Sequence, residues 1–257
     1  MHHYEEPARR LPGREFDVAV VGGGTAGVIA AVAAARNGAR TALIETKGYV
    51  GGIAVEGGTA LHSFFNLWKA FPDVEKRQVV RGLPQELIDR LERVGGTCGH
   101  AEMSRGYDYD SVCTAIDTEL YKLVAHEMLV DAGVEVFLNT FLAGAIMDGG
   151  RVRAAIAESR SGREAFAAKC FVDCTGYGDL AAAAGADYDE PNDHPVANSI
   201  GVGGVNLERY AEFLDSHDAL TQYCEGRRDG RDGCIVRLDG RRANLPEAFA
   251  DEAGRIG

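Results

Sequence analysis

Eight residues near the start of the chain, Val20-Val21-Gly22-Gly23-Gly24-Thr25-Ala26-Gly27, restrict the fold more than any other stretch. Ahead of them lies a short apolar run, Phe16 to Val21, of the kind shown by a strand buried on both faces. Behind them, Ala26 to Arg36 is dominated by alanine and holds no proline, which predicts a helix stopped by Asn37-Gly38. The spacing Gly22-x-Gly24-x-x-Gly27 therefore falls between a strand and a helix. Gly22 permits the tight turn, Gly24 lets a pyrophosphate approach the backbone, and Gly27 lets helix and strand pack closely. Thr25 and Ala26 complete the helix start, where free amides and the helix dipole favour an anion.

A second strand, Arg40 to Ile44, ends at Glu45, near the distance at which an acid meets an adenosine ribose in this arrangement. A carboxylate there accepts from both ribose hydroxyls and repels a 2′-phosphate, so NADP is the least favoured ligand. The competing account is a surface residue closing a strand. The loop that follows, Thr46-Lys47-Gly48-Tyr49-Val50-Gly51-Gly52, is glycine-rich enough to bring its backbone against a second part of a long dinucleotide.

Composition limits the rest. The 257 residues are 46% hydrophobic and 26% charged, which suits one large domain or two small ones. A net charge of -12 disfavours nucleic acid and anionic membranes as partners. No apolar stretch is long enough to cross a bilayer, and residues 1–15 read as a polar arm with no secretion-signal core. Six cysteines show no C-x-x-C pair, so small reduced thiols in a cytoplasmic protein fit best, and no metal site is expected.

Downstream, Asp117 to Asp131 carries Leu120, Leu123, Val124, Met128 and Leu129 at helical spacing, and Val134 to Leu138 alternates like a strand. Three short strand-like runs, Phe141 to Met147, Val152 to Ala157 and Arg163 to Ala168, form a β-meander. A separate strand from Cys170 then enters the turn Thr175-Gly176-Tyr177-Gly178-Asp179 and a helix reaching Gly185. Arg77 to Val94 reads as a further helix, with Leu87, Ile88 and Leu91 on one face. After Asp187 the sequence turns charged and loop-like, as in "CEGRRDGRDGCIVRLDGRR".

These motifs together resemble the FAD-dependent oxidoreductase family of the glutathione-reductase-type flavoprotein fold. The residues that carry the likeness are "DVAVVGGGTAGVIAAVAAARNGARTALIETKGYVGGIA", "QVVRGLPQELIDRLERVGGTCGH", "AGVEVFLNT" and "FVDCTGYGDLAAAAGA", over roughly 14–205. The resemblance implies an α/β fold: a Rossmann-like FAD-binding domain with a central parallel sheet and a β-meander, plus a partial mixed substrate region. It assigns 16–60 and 112–186 to the FAD-binding domain, and 61–111 and 187–257 to the substrate or cap region. It places the FAD pyrophosphate on Gly22, Gly24, Thr25, Ala26 and Gly27, and the adenosine ribose at Glu45 and Thr46. Val136 lies near the adenine, Gly51 and Gly52 approach the flavin end, and Thr175, Gly176 and Asp179 close over the cofactor.

The resemblance also implies a longer chain, with a last glycine-rich segment touching pyrophosphate and flavin. None follows Asp187, so the chain is expected to be a truncated product or one piece of a split protein whose partner chain supplies that segment. A homo-oligomer is a further expectation.

In such an enzyme the flavin carries the hydride or electron and the protein supplies orientation, so no side-chain nucleophile is required. His62 is the candidate donor to substrate or flavin, against a plainer role as a hydrogen-bonded structural histidine. Cys98 and His100 form a weaker thiol–base candidate. No histidine lies in the glycine loop, so noncovalent FAD is expected, with a small molecule as substrate. The alternatives are a nucleotide-binding module without turnover, and an NAD-dependent dehydrogenase. The short-chain class of the latter needs a Tyr-x-x-x-Lys pair that this sequence lacks. A thiamine-thiazole synthase shares the opening fingerprint, but its later motifs are absent.

Overall fold

The computed structural model describes residues 4, 8–56, 61–62, 78–102, 112–189, 204, 206–216, 220–228 and 231–238. In chain order it begins β1 (Gly13–Val21), α1 (Thr25–Arg36), β2 (Thr41–Ile44), β3 (Leu61–His62), α2 (Leu83–Arg93), β4 (Ala101–Glu102) and β5 (Val112–Ala115). There follow α3 (Thr118–Asp131), β6 (Glu135–Phe137), β7 (Phe141–Asp148), β8 (Arg151–Ser159), β9 (Gly162–Asp173) and α4 (Asp179–Ala183). The last are α5 (Leu207–Ser216), β10 (Leu220–Arg228) and β11 (Arg231–Leu238).

The chain divides into two compact units, Met1–Gly52 with Ala125–Pro195, and Ile53–Val124 with Val196–Gly257. The first unit holds a six-stranded sheet in the order β6-β2-β1-β9-β8-β7. Its first four strands run parallel, β8 runs antiparallel to β9, and β7 runs antiparallel to β8. Ala19, Val20, Val21, Leu43 and Ile44 are almost wholly buried, as a strand covered on both faces requires. Helix α1 buries Val28, Ala31 and Val32, and small alanines let it lie close to β1 and β2. A second group, Phe16, Phe137 and Phe166, stacks or meets edge-on within 4.8–6.4 Å between ring centroids. This is the α/β architecture that the strand–glycine–helix pattern predicts.

The second unit contains a three-stranded sheet in the order β3-β5-β4 and the antiparallel hairpin β10–β11. Helix α2 buries Leu87, Ile88 and Leu91, the face that spacing singled out.

Several boundaries differ from the sequence expectation. Strand β1 starts at Gly13, because Gly13–Phe16 pairs with Ala165–Ala168, a long-range partner invisible to local pattern. The third meander run and the strand expected to begin at Cys170 are one strand, β9. Its first half lies between β8 and β1, and its second half continues beside β1 alone. Helix α2 begins only at Leu83, after Gly82 at φ +73°, with Pro84 in the first turn, where its missing amide costs nothing. The stretch read as loop after Asp187 includes α5 and a hairpin in which Gly226 faces Gly233. In α3 the buried apolar residues are Tyr121, Val124, Ala125, Met128 and Leu129, whereas Leu123 is exposed. The four described cysteines are free: Cys113 is buried, Cys174 half-buried, Cys98 exposed, and Cys170 exposed where strand pattern suggests a small buried thiol.

Candidate nucleotide site

The glycines of the opening turn are fixed by contact as much as by torsion. Gly22 has φ +97°, and a Cβ there would sit 2.3 Å from the Cys174 carbonyl oxygen. A Cβ on Gly27 would meet the Gly22 carbonyl oxygen at 1.8 Å, so only glycine lets α1 start this close to the strand end. Gly24 stands at the N-cap of α1 with no side-chain cap, and the first turn holds no acid. Thr25 is half-buried and Ala26 is exposed and small, which leaves the first amides of the helix accessible to an anion.

The loop after β2 closes on this turn. The Gly51 amide donates to the Gly23 carbonyl at 2.8 Å, and Gly24 and Gly51 form a parallel bridge. A Cβ on Gly52 would lie 2.8 Å from Gly24 Cα. Two stretches of bare backbone thus run side by side, the sort of cradle a side chain would fill and a pyrophosphate can approach.

Glu45 follows β2 directly and is 9% exposed. Its Oε2 accepts from the Gly23 amide at 2.5 Å and its Oε1 accepts from the Lys47 amide at 2.7 Å. The carboxylate therefore faces the glycine turn. Its two oxygens have about four lone-pair positions between them, so acceptor capacity remains for hydroxyl donors. Thr46 is exposed beside it. Val136, half-buried on β6, pairs with Leu43 one strand away.

The second glycine turn abuts the first, since the Cys174 amide donates to the Val21 carbonyl at 2.7 Å. Asp173 organises this turn. Its Oδ1 accepts from the Thr175 amide and hydroxyl, and its Oδ2 accepts from the Ala181 amide. Burial pushes the Asp173 carboxyl up, but hydrogen bonds from Ala181, Thr175 and Leu180 outweigh it and hold the pKa below the usual value. The Thr175 hydroxyl accepts from the Asp179 amide at 2.9 Å. Gly176 has φ +85°, and the Asp179 side chain is exposed.

Gly22, Gly24, Gly27, Glu45, Gly51, Gly52 and Thr175 are thus brought together around the turn before α1 in the first unit. Sequence reading missed Asp173 and Asn139. The Asp-x-Thr spacing at 173–175 signals the first, and Asn after a strand, where a left-handed residue is tolerated, signals the second.

His62 belongs to the other unit, on β3, opposite Thr114 of β5. There His100 shares hydrogen bonds with Thr114 Oγ1 at 2.5 Å and with Gln85 Oε1 at 2.9 Å. With both ring nitrogens engaged, His100 is tied to α2 and β5, while Cys98 is an exposed free thiol. No group of three or more His, Cys, Asp or Glu among the described residues is placed to hold a metal ion. No helix among them is long and apolar enough to cross a membrane.

The family model of the FAD dependent oxidoreductases matches residues 17–234. The chain belongs to that family. FAD is accordingly its cofactor, and the paired bare-backbone strips and the inward-facing Glu45 fit the ADP half of FAD.

This FAD dependent oxidoreductase is 33% identical over 92 residues to a 3-oxosteroid 1-dehydrogenase of Mycolicibacterium smegmatis, covering 36% of this chain and 15% of that protein. Among solved structures, it resembles a geranylgeranyl bacteriochlorophyll reductase-like protein of Thermoplasma acidophilum. That likeness has a TM-score of 0.49 and 21% identity over 67% of this chain and 42% of the other. A 3-ketosteroid-delta4-(5alpha)-dehydrogenase of Rhodococcus jostii gives a TM-score of 0.44 and 17% identity, over 62% of this chain and 45% of the other. The chain spans less than half the length of each of these relatives.

Proposed function

We propose that the first unit binds FAD noncovalently, and that the protein uses it to oxidise or reduce a small molecule. The pyrophosphate is assigned to the amides of Gly24, Thr25, Ala26 and Gly27, and the adenosine ribose to Glu45 with Thr46 beside it. Val136 borders the adenine, the Gly51-Gly52 backbone runs toward the flavin end, and Thr175, Gly176 and Asp179 form the opposite wall. The observation that carries this reading is the Glu45 carboxylate turned onto the Gly23 amide, at the mouth of a helix start without a cap.

Bound FAD supplies hydride or electron transfer. The chain's own work is to neutralise the phosphates with oriented amides, to fix the ribose with a carboxylate, and to keep side chains out of the cradle. Residues 61–111 and 187–257 are proposed as the substrate region, with His62 as a donor to the substrate. The 3-oxosteroid 1-dehydrogenase makes an unsaturated or saturated carbonyl compound a reasonable first substrate class to assay. Four free thiols among the described cysteines go with a reducing, cytoplasmic setting.

The full chain, reconstituted with FAD and freed of excess, should retain visible flavin absorbance. It should release free FAD on acid precipitation. A protein that leaves the column colourless counts against the assignment. The competing reading is a nucleotide-binding module without turnover. Bound FAD that no donor reduces favours that module, and anaerobic bleaching by a substrate favours the enzyme.

A further inference from the structure

We propose that Asn139, just beyond β6, is a positioning residue for the adenosine end of the cofactor site, acting through its left-handed backbone. Among the described residues it is the one non-glycine with positive φ, +51°. Asparagine tolerates that conformation better than most side chains, but it is still unusual, and such outliers persist where the surroundings demand them. What the conformation accomplishes here is visible in the hydrogen bonds.

Three backbone bonds join the 137–140 segment to the Glu45 loop. The Glu45 amide donates to the Phe137 carbonyl, the Asn139 amide donates to the Lys47 carbonyl, and the Thr140 amide donates to the Glu45 carbonyl, each at 2.9 Å. The peptide groups on both sides of Glu45 are therefore held by one short segment. Successive amides at 139 and 140 reach the same loop because the chain reverses at Asn139. In an extended conformation consecutive amides point to opposite sides, and one of the two bonds is lost. The Thr140 hydroxyl locks the turn from behind by donating to the Leu138 carbonyl at 2.9 Å.

This clasp determines where the Glu45 carboxylate goes. With its backbone pinned, the side chain spans to the Gly23 and Lys47 amides, the geometry assigned above to ribose binding. The Asn139 amide group lies beside Gly48, where a Cβ would come within 3.3 Å of its Oδ1, so the loop has no room to shift toward it. Relaxing Asn139 to negative φ frees one side of the Glu45 loop and lets the carboxylate drift. Asn139 thereby acts on cofactor affinity through Glu45, with no contact to the cofactor required.

The inference rests on the assignment of Glu45 to the ribose, and its test separates the two. Full-length wild type, N139A and N139G are titrated with ADP by calorimetry and with FAD by fluorescence quenching. N139A, which strains the left-handed turn, should weaken ADP and FAD alike by about fivefold to tenfold. N139G, which keeps the turn and removes the amide side chain, should stay within about twofold of wild type. N139A binding ADP as wild type does overturns the proposal. So does N139G being as weak as N139A, because the side chain and not the backbone then matters.

Wild type that binds neither probe overturns the ribose assignment itself. A measurement without substitution covers the case of poor folding. Hydrogen exchange at the Asn139 and Thr140 amides should slow by about tenfold when ADP is added, and unchanged exchange contradicts the coupling.

Discussion

Glu45 and Gly23 lie 22 residues apart in sequence, yet the carboxylate of the first accepts a 2.5 Å hydrogen bond from the amide of the second. The bond crosses from the end of β2 to the turn before α1. On the proposed assignment, it puts the carboxylate against the ribose of the dinucleotide and away from the phosphates. The adjoining helix start keeps its positive dipole end for the phosphates.

Replacing Glu45 with alanine should raise the FAD dissociation constant by about tenfold or more, since a charged acceptor serving two hydroxyls contributes about 1.5–3 kcal/mol per hydrogen bond. The same change leaves the Gly23 and Lys47 amides without their acceptor, so the apoprotein should also melt at lower temperature. Glutamine keeps one oxygen for the Gly23 amide, but it sets an NH2 donor against the Lys47 amide and loses the charge. E45Q should therefore restore part of the melting temperature but little of the affinity, and equal recovery of both would contradict the ribose role.

Glycines in the turn and glycines elsewhere answer alanine differently. G27A puts a methyl 1.8 Å from the Gly22 carbonyl oxygen, and the strand and helix ends must separate. A loss of about 3 kcal/mol or more is expected, with FAD binding abolished. Gly38, at φ +87°, has nothing within 4 Å of a Cβ. G38A should cost only the left-handed penalty of about 1–2 kcal/mol and leave affinity unchanged. Urea denaturation of both variants, alongside FAD titration, makes the comparison.

The contrast also explains what was legible in the sequence. The β1–α1–β2 unit could be read because each of its constraints is local: buried alternation, small helix residues, and glycines whose spacing mirrors a backbone approach. Local pattern divides β9 in two because Lys169 interrupts its apolar run where it leaves β8 and continues along β1. The exposed Lys169 side chain reaches Asp17 on β1 at 2.6 Å instead.

The β10–β11 hairpin could not be read from propensity at all. Its glycines and arginines are poor strand formers, and pairing across the hairpin decides their conformation. At the glycine turn, Glu45 and the three motif glycines are visible as types at a spacing. Asp173 and Asn139 are not, because their roles depend on amides at 181 and on a carbonyl at 47 that only the folded chain brings near.

Asp173 gives an acid-side prediction. Its folded pKa lies below the ordinary aspartate value of 3.8, so the stability it confers is present above about that pH and fades as the pH falls through the lower, folded value. Wild type should lose melting temperature below about pH 4. D173A also removes the acceptor for the Thr175 and Ala181 amides. It should cost about 1–2 kcal/mol at neutral pH, as loss of a helix cap does, and show a shallower acid limb. Melting curves across the acid range decide this, and parallel curves for the two proteins would rule it out.

His100 supplies the last prediction, in the second unit and with a different pH window. Burial lowers its pKa from 6.5, and the charges of Asp89 and Glu92 offset only part of that. A depressed histidine pKa means the fold prefers the neutral ring. The hydrogen bonds agree: Gln85 Oε1 can only accept, so the ring donates from Nε2, and a neutral Nδ1 is left to accept from the Thr114 hydroxyl.

Protonating the ring puts a second donor on Nδ1. The Thr114 hydroxyl, fully buried on β5, must then turn round to accept, and its own proton needs a new partner. Stability contributed by this contact is therefore complete above about pH 6.5, declines as the pH falls below that, and levels off under the folded pKa. Amide exchange in α2 should accelerate between about pH 7 and about pH 5 relative to its intrinsic rate. H100Q, which cannot titrate, should abolish that added acceleration while keeping α2 folded. An identical pH response in H100Q would place the sensitivity on Asp89 or Glu92 instead.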